Sequence, residues 1–149
     1  MCDDRREMSN ANDTLPWWLF ASVVVGALLM IAGAIIALTQ PSMLVSPGAE
    51  INNAVRVYAG YLVSRNLALA VMLLVMLALH ARGVLSGLML LTAMVQFLDA
   101  GMDAAEGRWT IVPGVLIFAI VFFLGAARLR GRPFWNLAAW KDQPQLAKQ

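Results

Sequence analysis

Between Thr92 and Glu106 the chain carries Thr92, Gln96, Asp99, Asp103 and Glu106 in a run otherwise suited to hydrocarbon. On a helix at 100° per residue, Gln96, Asp99 and Asp103 fall within an arc of about 60°, and Thr92 joins them one turn back. Two carboxylates a turn apart in apolar surroundings can do acid–base chemistry, one holding a proton while the other is ionised. They are costly to place. An Asp at the centre of a spanning helix costs on the order of 3 kcal/mol, so the spacing predicts that this face lines a bundle interior. For Asp103 and Glu106, nearer the end of the run, the plain alternative is contact with interfacial water.

A second polar face lies upstream. Tyr58, Tyr61 and Arg65 recur at i, i+3 and i+7, Asn66 follows Arg65, and Leu67 to Leu79 is wholly apolar. Arg65 stands about 8 residues, or ~12 Å, inside its helix, further than a guanidinium comfortably snorkels, so a carboxylate partner is expected.

Composition identifies the solvent of these faces. Of the 149 residues, 60% are hydrophobic and 13% charged, and mean hydropathy is +0.71. Soluble domains carry about 25% charged residues, so this chain is expected to use the bilayer as its solvent, as a multi-pass protein of a bacterial plasma membrane. A net charge of +2 is too small to point to nucleic acid. Cys2 is the sole cysteine, and with His80 it makes no metal-ligand set. Neither a metal nor a cofactor is expected.

Four apolar runs predict an all-α fold, a four-transmembrane-helix bundle over residues 15–128, with helices at about 17–39, 54–80, 84–105 and 109–127. Trp17 and Trp18 mark a membrane boundary, and Ser22, Gly26, Gly33 and Ala37 offer small side chains for close helix contact. Pro41 ends the first helix. The 41–53 loop is read as a connector, with its apolar Met43, Leu44 and Val45 leaving a lid as the alternative. His80 to Gly83 and Gly107-Arg108 are turns, Trp109 opens the fourth helix, and Val115 to Leu124 supplies walls without a polar side chain. Residues 1–14 read as a flexible polar arm. Residues 129–149 read as a basic interfacial tail, with a short interfacial helix over Pro133–Trp140. Arg128, Arg130, Arg132, Lys141 and Lys148 are five of the eleven basic residues, which places the C-terminus in the cytoplasm. An even number of spans brings the N-terminus to the same side.

This topology sets depths. Below the outer boundary, Arg65 lies ~12 Å, Asp99 ~9 Å, Gln96 ~14 Å and Asp103 ~3 Å, at 1.5 Å per residue. Arg65 and Asn66 are therefore level with Gln96 and Asp99, and Tyr58 and Tyr61 stand near Asp103. Asp103 has no cation of its own unless Arg108 folds back.

The stretch Ser64-Arg65-Asn66-Leu-Ala-Leu-Ala, the short His80-Ala-Arg82 turn, Phe97-Leu-Asp99 and a final apolar helix together resemble the small DoxX-like integral membrane proteins. The likeness covers roughly residues 50–128. It implies a four-helix bundle and singles out Arg65, Asn66 and Asp99, and it carries no activity.

The residues support an acid–base enzyme acting on a lipophilic small molecule by isomerisation, cyclisation or epoxide opening. Asp99 and Asp103 are the expected acid–base pair, with Asp99 ionised beside Arg65 and Asp103 the proton donor. Tyr58, Tyr61, Asn66, Gln96, Thr92, Glu106 and Trp109 are assigned to substrate binding. The alternative is a non-catalytic subunit whose Arg–Asp pair is structural, with a second copy or another membrane protein as partner besides the lipids. A small transporter is disfavoured, because no polar path crosses the fourth helix. The topology has a direct check. With Cys2 replaced, a cysteine placed at Ser42 should react with an impermeant maleimide from outside intact cells; labelling only after lysis would overturn the depths above.

Overall fold

The structure is a computed structural model that describes residues 15–45 and 50–130. The expected polar arm, the 131–149 portion of the tail with its interfacial helix, and four residues of the 41–53 loop lie outside the described residues. Among the described residues the chain is all-helical, with α1 (Trp17–Thr39), α2 (Asn53–Ala78), α3 (Arg82–Ala105), α4 (Val112–Arg130) and a 3-10 turn at Pro41–Leu44. All four helices are long and apolar enough to cross a membrane, at 23, 26, 24 and 19 residues. That corresponds to roughly 29–39 Å against ~30 Å of hydrocarbon.

The ends follow from local chemistry. Gln40-Pro41 stops α1, and α2 starts where the Asn52 side-chain oxygen accepts a bond from the Val55 N–H at 3.1 Å. Leaving α3, Gly107 takes φ 77°. The Arg108 N–H donates to the Asp103 carbonyl at 2.8 Å and the Gly107 N–H to the Ala104 carbonyl at 3.1 Å, a Schellman ending that needs a residue at positive φ. α2 ends the same way on His80, at φ 54°, with Ala81 N–H bonded to the Met76 carbonyl. The Schellman reversal also explains why α4 opens at Val112 rather than at Trp109. Residues 108 to 111 complete the turn, and Pro113 then sits in the first turn, where its missing N–H costs nothing.

The bundle consists of two helix hairpins. α1 packs along α2 and α3 along α4, while the α2–α3 seam and above all the α1–α4 seam are sparser. The buried core joins Leu19, Val23, Ala27 and Met30 of α1 to Ala70, Leu73 and Leu77 of α2, Leu85, Met89 and Ala93 of α3, and Phe122 and Ala126 of α4. In every helix these residues occupy the half nearer the α2–α3 turn, here called the turn end. The other half, the loop end, holds the residues singled out for chemistry. The turn end has its own polar tie, in which the buried Ser86 hydroxyl donates to the Ala126 carbonyl at 2.9 Å and accepts from Arg130 Nε at 3.3 Å.

The two halves meet at Gly26. A Cβ built there would lie 2.5 Å from Phe122 Cζ and 2.7 Å from Phe118 Cε2, so α4 reaches α1 only because residue 26 has no side chain. The two rings stack at a tilt with centroids 4.3 Å apart and form a floor across the bundle. Of the other small residues in α1, Ala37 is buried, Gly33 leaves room beside Asn66, and the Ser22 hydroxyl folds back on the Leu19 carbonyl.

Gly26→Val should accordingly destabilise the bundle by about 1–3 kcal/mol through overpacking. Gly60, where a Cβ meets nothing within 4 Å, serves as the control. Thermal unfolding in detergent micelles that ranked Gly60→Val equal to Gly26→Val would show that the floor does not depend on this contact.

Candidate functional site

The Arg65 guanidinium and the Asp99 carboxylate meet across the α2–α3 seam in a bidentate pair, Nη1 to Oδ1 at 3.1 Å and Nη2 to Oδ2 at 2.8 Å. Two parallel charge-assisted bonds fix both planes as well as the distance. About a third of each side chain remains accessible, and Arg65 Nε is buried without a hydrogen-bond partner.

Asp103, one turn on, is the most buried acidic residue of the α3 face, and it too has a cation. The α3 ending turns the chain so that Arg108 lies back over the residue five positions before it, and its guanidinium pairs with the Asp103 carboxylate and with Glu106 Oε2 at 2.9 Å. Asp103 therefore has the cation that the sequence left conditional on Arg108 folding back. Both aspartates thus face an arginine across a short ion pair.

Between the hairpins at the loop end is a cavity of about 480 Å³. Its polar side is Asn66, Gln96, Asp99 and Thr110; its apolar side includes Leu29, Met30, Val115 and Phe118, the last belonging to the aromatic floor. A neighbouring cavity of about 380 Å³ shares Asn66, Gln96 and Asp99, and extends past Tyr58 and Leu62 to Asp103, Arg108 and Met43 of the 3-10 turn. Both volumes suit small-molecule sites, which run from about 300 to 1,000 Å³. Among the described residues the side-chain amides of Asn66 and Gln96 make no hydrogen bond to protein. Each thus presents a carbonyl oxygen and an NH₂ group to the shared space.

Other expected binding residues are placed elsewhere. Tyr61 is 72% exposed and faces away from both cavities, because the side of α2 turned inward is that of Leu62 and Asn66. Thr92 is fully buried one turn below the cavity floor level of Gln96, with its hydroxyl bonded to the Leu88 carbonyl at 2.8 Å. Trp109 sits in the α3–α4 turn, 67% exposed, and lines neither cavity. Glu106 stays at the rim on Arg108. Tyr58 does line the second cavity, although more than half exposed.

Arg108 and Thr110 were not identified as site residues from the sequence. The signal for Arg108 was available in Gly107, since a glycine just past a helix end brings the following residue back over the last turn. Thr110 carries no comparable signal. Met43 lines the second cavity, so the 3-10 turn does cover part of the site. A separate cavity at the turn end, lined by Trp17, Phe20, Leu77 and His80 among others, has no carboxylate among the described residues. No group of His, Cys, Asp or Glu that could hold a metal occurs among the described residues.

No family model matches the chain, and neither a curated protein nor a solved structure is similar to it.

The pairings rank the effects of substitution. Asp99→Asn should cost about 2–3 kcal/mol, somewhat less than the ~3–5 of a wholly buried pair, because Arg65 loses its only carboxylate while part of it stays accessible. Asp103→Asn should cost less, because Arg108 keeps Glu106. Arg65→Met combined with Asp99→Leu should recover most of the loss. Unfolding midpoints of the three variants in one detergent test this order, and a double variant no better than Asp99→Asn would contradict the pairing.

Proposed function

We propose that the protein is a membrane-embedded acid–base enzyme whose substrate is a lipophilic small molecule, and that Asp99 is the group closest to the chemistry. The observation that carries this reading is the cavity itself: an apolar chamber of ligand size with one polar corner, in which an ion-paired carboxylate stands between two carboxamides that have no protein partner.

In this reading each element of the corner has one task. Arg65 occupies one lone-pair direction on each Asp99 oxygen and fixes the plane of the carboxylate. The remaining lone pairs are available to take a proton from a substrate carbon or from a water. Asn66 and Gln96 donate N–H groups to a substrate oxygen, orienting it and stabilising negative charge that develops there. Asp103, with Arg108 and Tyr58, forms a second polar centre at the far side of the shared space. Isomerisation, cyclisation through an oxygen nucleophile, and opening of an epoxide by water all need these parts: a base, an oriented oxygen and a dry apolar surround. The likeness to DoxX-like proteins points to the same three residues, Arg65, Asn66 and Asp99. The site lies in the outward half of a bacterial plasma membrane in this reading, with both termini in the cytoplasm.

One observation favours a second reading. The α2–α3 seam is sparse, and the Arg65–Asp99 clasp spans it, as a register-fixing pair in a subunit of a larger membrane complex would. The two readings separate on variants that spare the clasp. Asn66→Leu and Gln96→Leu remove the carboxamides and leave the ion pair. Lipophilic extracts of cells expressing wild type should differ from those of vector controls in a substrate and product pair. Both variants should abolish that difference while accumulating as folded protein in the membrane. Wild-type and control extracts that match, together with a membrane partner co-purifying equally with wild type and both variants, would decide for the structural subunit.

A further inference from the structure

The cavity that holds Asn66, Gln96 and Asp99 is bounded on one side by the sparsest of the four seams between neighbouring helices, that of α1 and α4. These two helices touch closely at Gly26, where Phe118 and Phe122 fill the space of the absent side chain. Nearer the loop end, Leu29 of α1 is 57% exposed; across the seam Ile111 is 45% exposed and Gly114 is exposed too. All three line the cavity. The same residues therefore border both the inside and the surroundings, which is the signature of an opening. Leu29 is about ten residues, or ~15 Å, from the end of α1, and Gly114 is two residues inside α4, so the opening runs from the membrane boundary down into the hydrocarbon.

Gly114 borders the opening on the α4 side. A Cβ built on it meets no other atom within 4 Å, so a side chain there would project into free space without a clash. A glycine there leaves open space that a large side chain such as Phe would occupy, whereas a single methyl group would reach no atom across it.

The polar corner limits what can use the gap. Among the described residues Asp99 is the only charged side chain lining this cavity, and its charge is already balanced by Arg65. Arg108, the next cation, is held by Asp103 and Glu106. Among the described residues, an anionic head would stand beside a carboxylate with no cation in the lining, and an ammonium would meet a carboxylate whose charge Arg65 already balances. What the corner does offer is the unbonded donors and acceptors of Asn66 and Gln96. These suit an uncharged oxygen group such as a hydroxyl, carbonyl or epoxide.

We propose that the α1–α4 gap is a lateral doorway through which an uncharged amphiphile with a single apolar body passes between the bilayer and the cavity, and that Gly114 keeps it open. The proposal rests on reading the cavity as a substrate site, and its test separates the two. The protein is placed in phosphatidylcholine nanodiscs with a diazirine-bearing 1-decanol or the matching diazirine-bearing decanoate at neutral pH. After illumination, intact mass and peptide mapping give the extent and position of labelling. The alcohol should label residues around Leu29 and Phe118 saturably, and the carboxylate should label them at least about tenfold less. Gly114→Phe should reduce labelling by the alcohol at least about tenfold while Gly114→Ala stays within about twofold of wild type. The unfolding midpoints of both variants should match wild type, and if Phe lowers the midpoint, Gly114→Leu takes its place. Undiminished labelling in Gly114→Phe would overturn the doorway and leave the cavity reading standing. Equal labelling by the carboxylate would overturn the uncharged head. Absence of labelling at the cavity in wild type would overturn the cavity reading as well.

Discussion

The bidentate pair between Arg65 and Asp99 is the constraint on which the polar half of this bundle depends. Neither charge could stand alone at that depth in an apolar bundle. Each makes the other tolerable, and the geometry that does so is strict, because both oxygens and both terminal nitrogens must meet in one plane. The pair therefore fixes the relative height and rotation of α2 and α3 across a seam where few other contacts do so. Asn66 follows Arg65 and Gln96 lies one turn before Asp99, so fixing Arg65 and Asp99 also brings the two carboxamides to the same cavity.

A cavity next to such a pair has to be kept from collapsing, and the division of the bundle into halves accounts for that. At the turn end, leucines, alanines and Met89 pack into a continuous core. At the boundary the rings of Phe118 and Phe122 wedge against Gly26 and hold α1 and α4 at a set spacing. Above the wedge, small or short residues such as Gly33 and Gly114 leave space that no side chain fills. Dense packing below and a rigid aromatic floor support an unfilled volume above. The loop end could close over that volume only by moving Met43 and its 3-10 turn inward or by bringing α1 and α4 together beyond the floor.

Much of this was legible in the sequence for identifiable reasons. Four runs of 19 to 26 apolar residues leave little freedom in element type, and the limits of α1 fall where Trp17 and Gln40-Pro41 place them. The level of Arg65 with Asp99 followed from counting rise along two antiparallel helices joined by a short turn. Counting failed where rotation mattered more than height. Tyr61 lies only about 40° from Arg65 around α2, yet that suffices to turn it outward, because α2 buries just one narrow face. Trp109 was misplaced because a glycine turn consumed the residues assigned to the first turn of α4. A hydrophobicity pattern shows where a helix can run, whereas the hydrogen bonds of its capping turn determine where it starts.

The pairing of Asp103 with Arg108 shows how a local backbone rule reaches the chemistry of the site. Gly107 at positive φ permits the Schellman ending; the ending places Arg108 N–H on the Asp103 carbonyl; and the same fold-back carries the guanidinium onto the Asp103 carboxylate. One residue's main-chain freedom thus turns an expected unpaired acid into half of a second ion pair. Each of the two carboxylates on this face thus has an arginine partner. They differ in what they face. Asp99 borders the apolar chamber with two unbonded carboxamides beside it, and Asp103 borders the second chamber with Arg108 and Tyr58. A substrate spanning both chambers would meet a base at one side and, at the other, a phenol beside an arginine-held carboxylate.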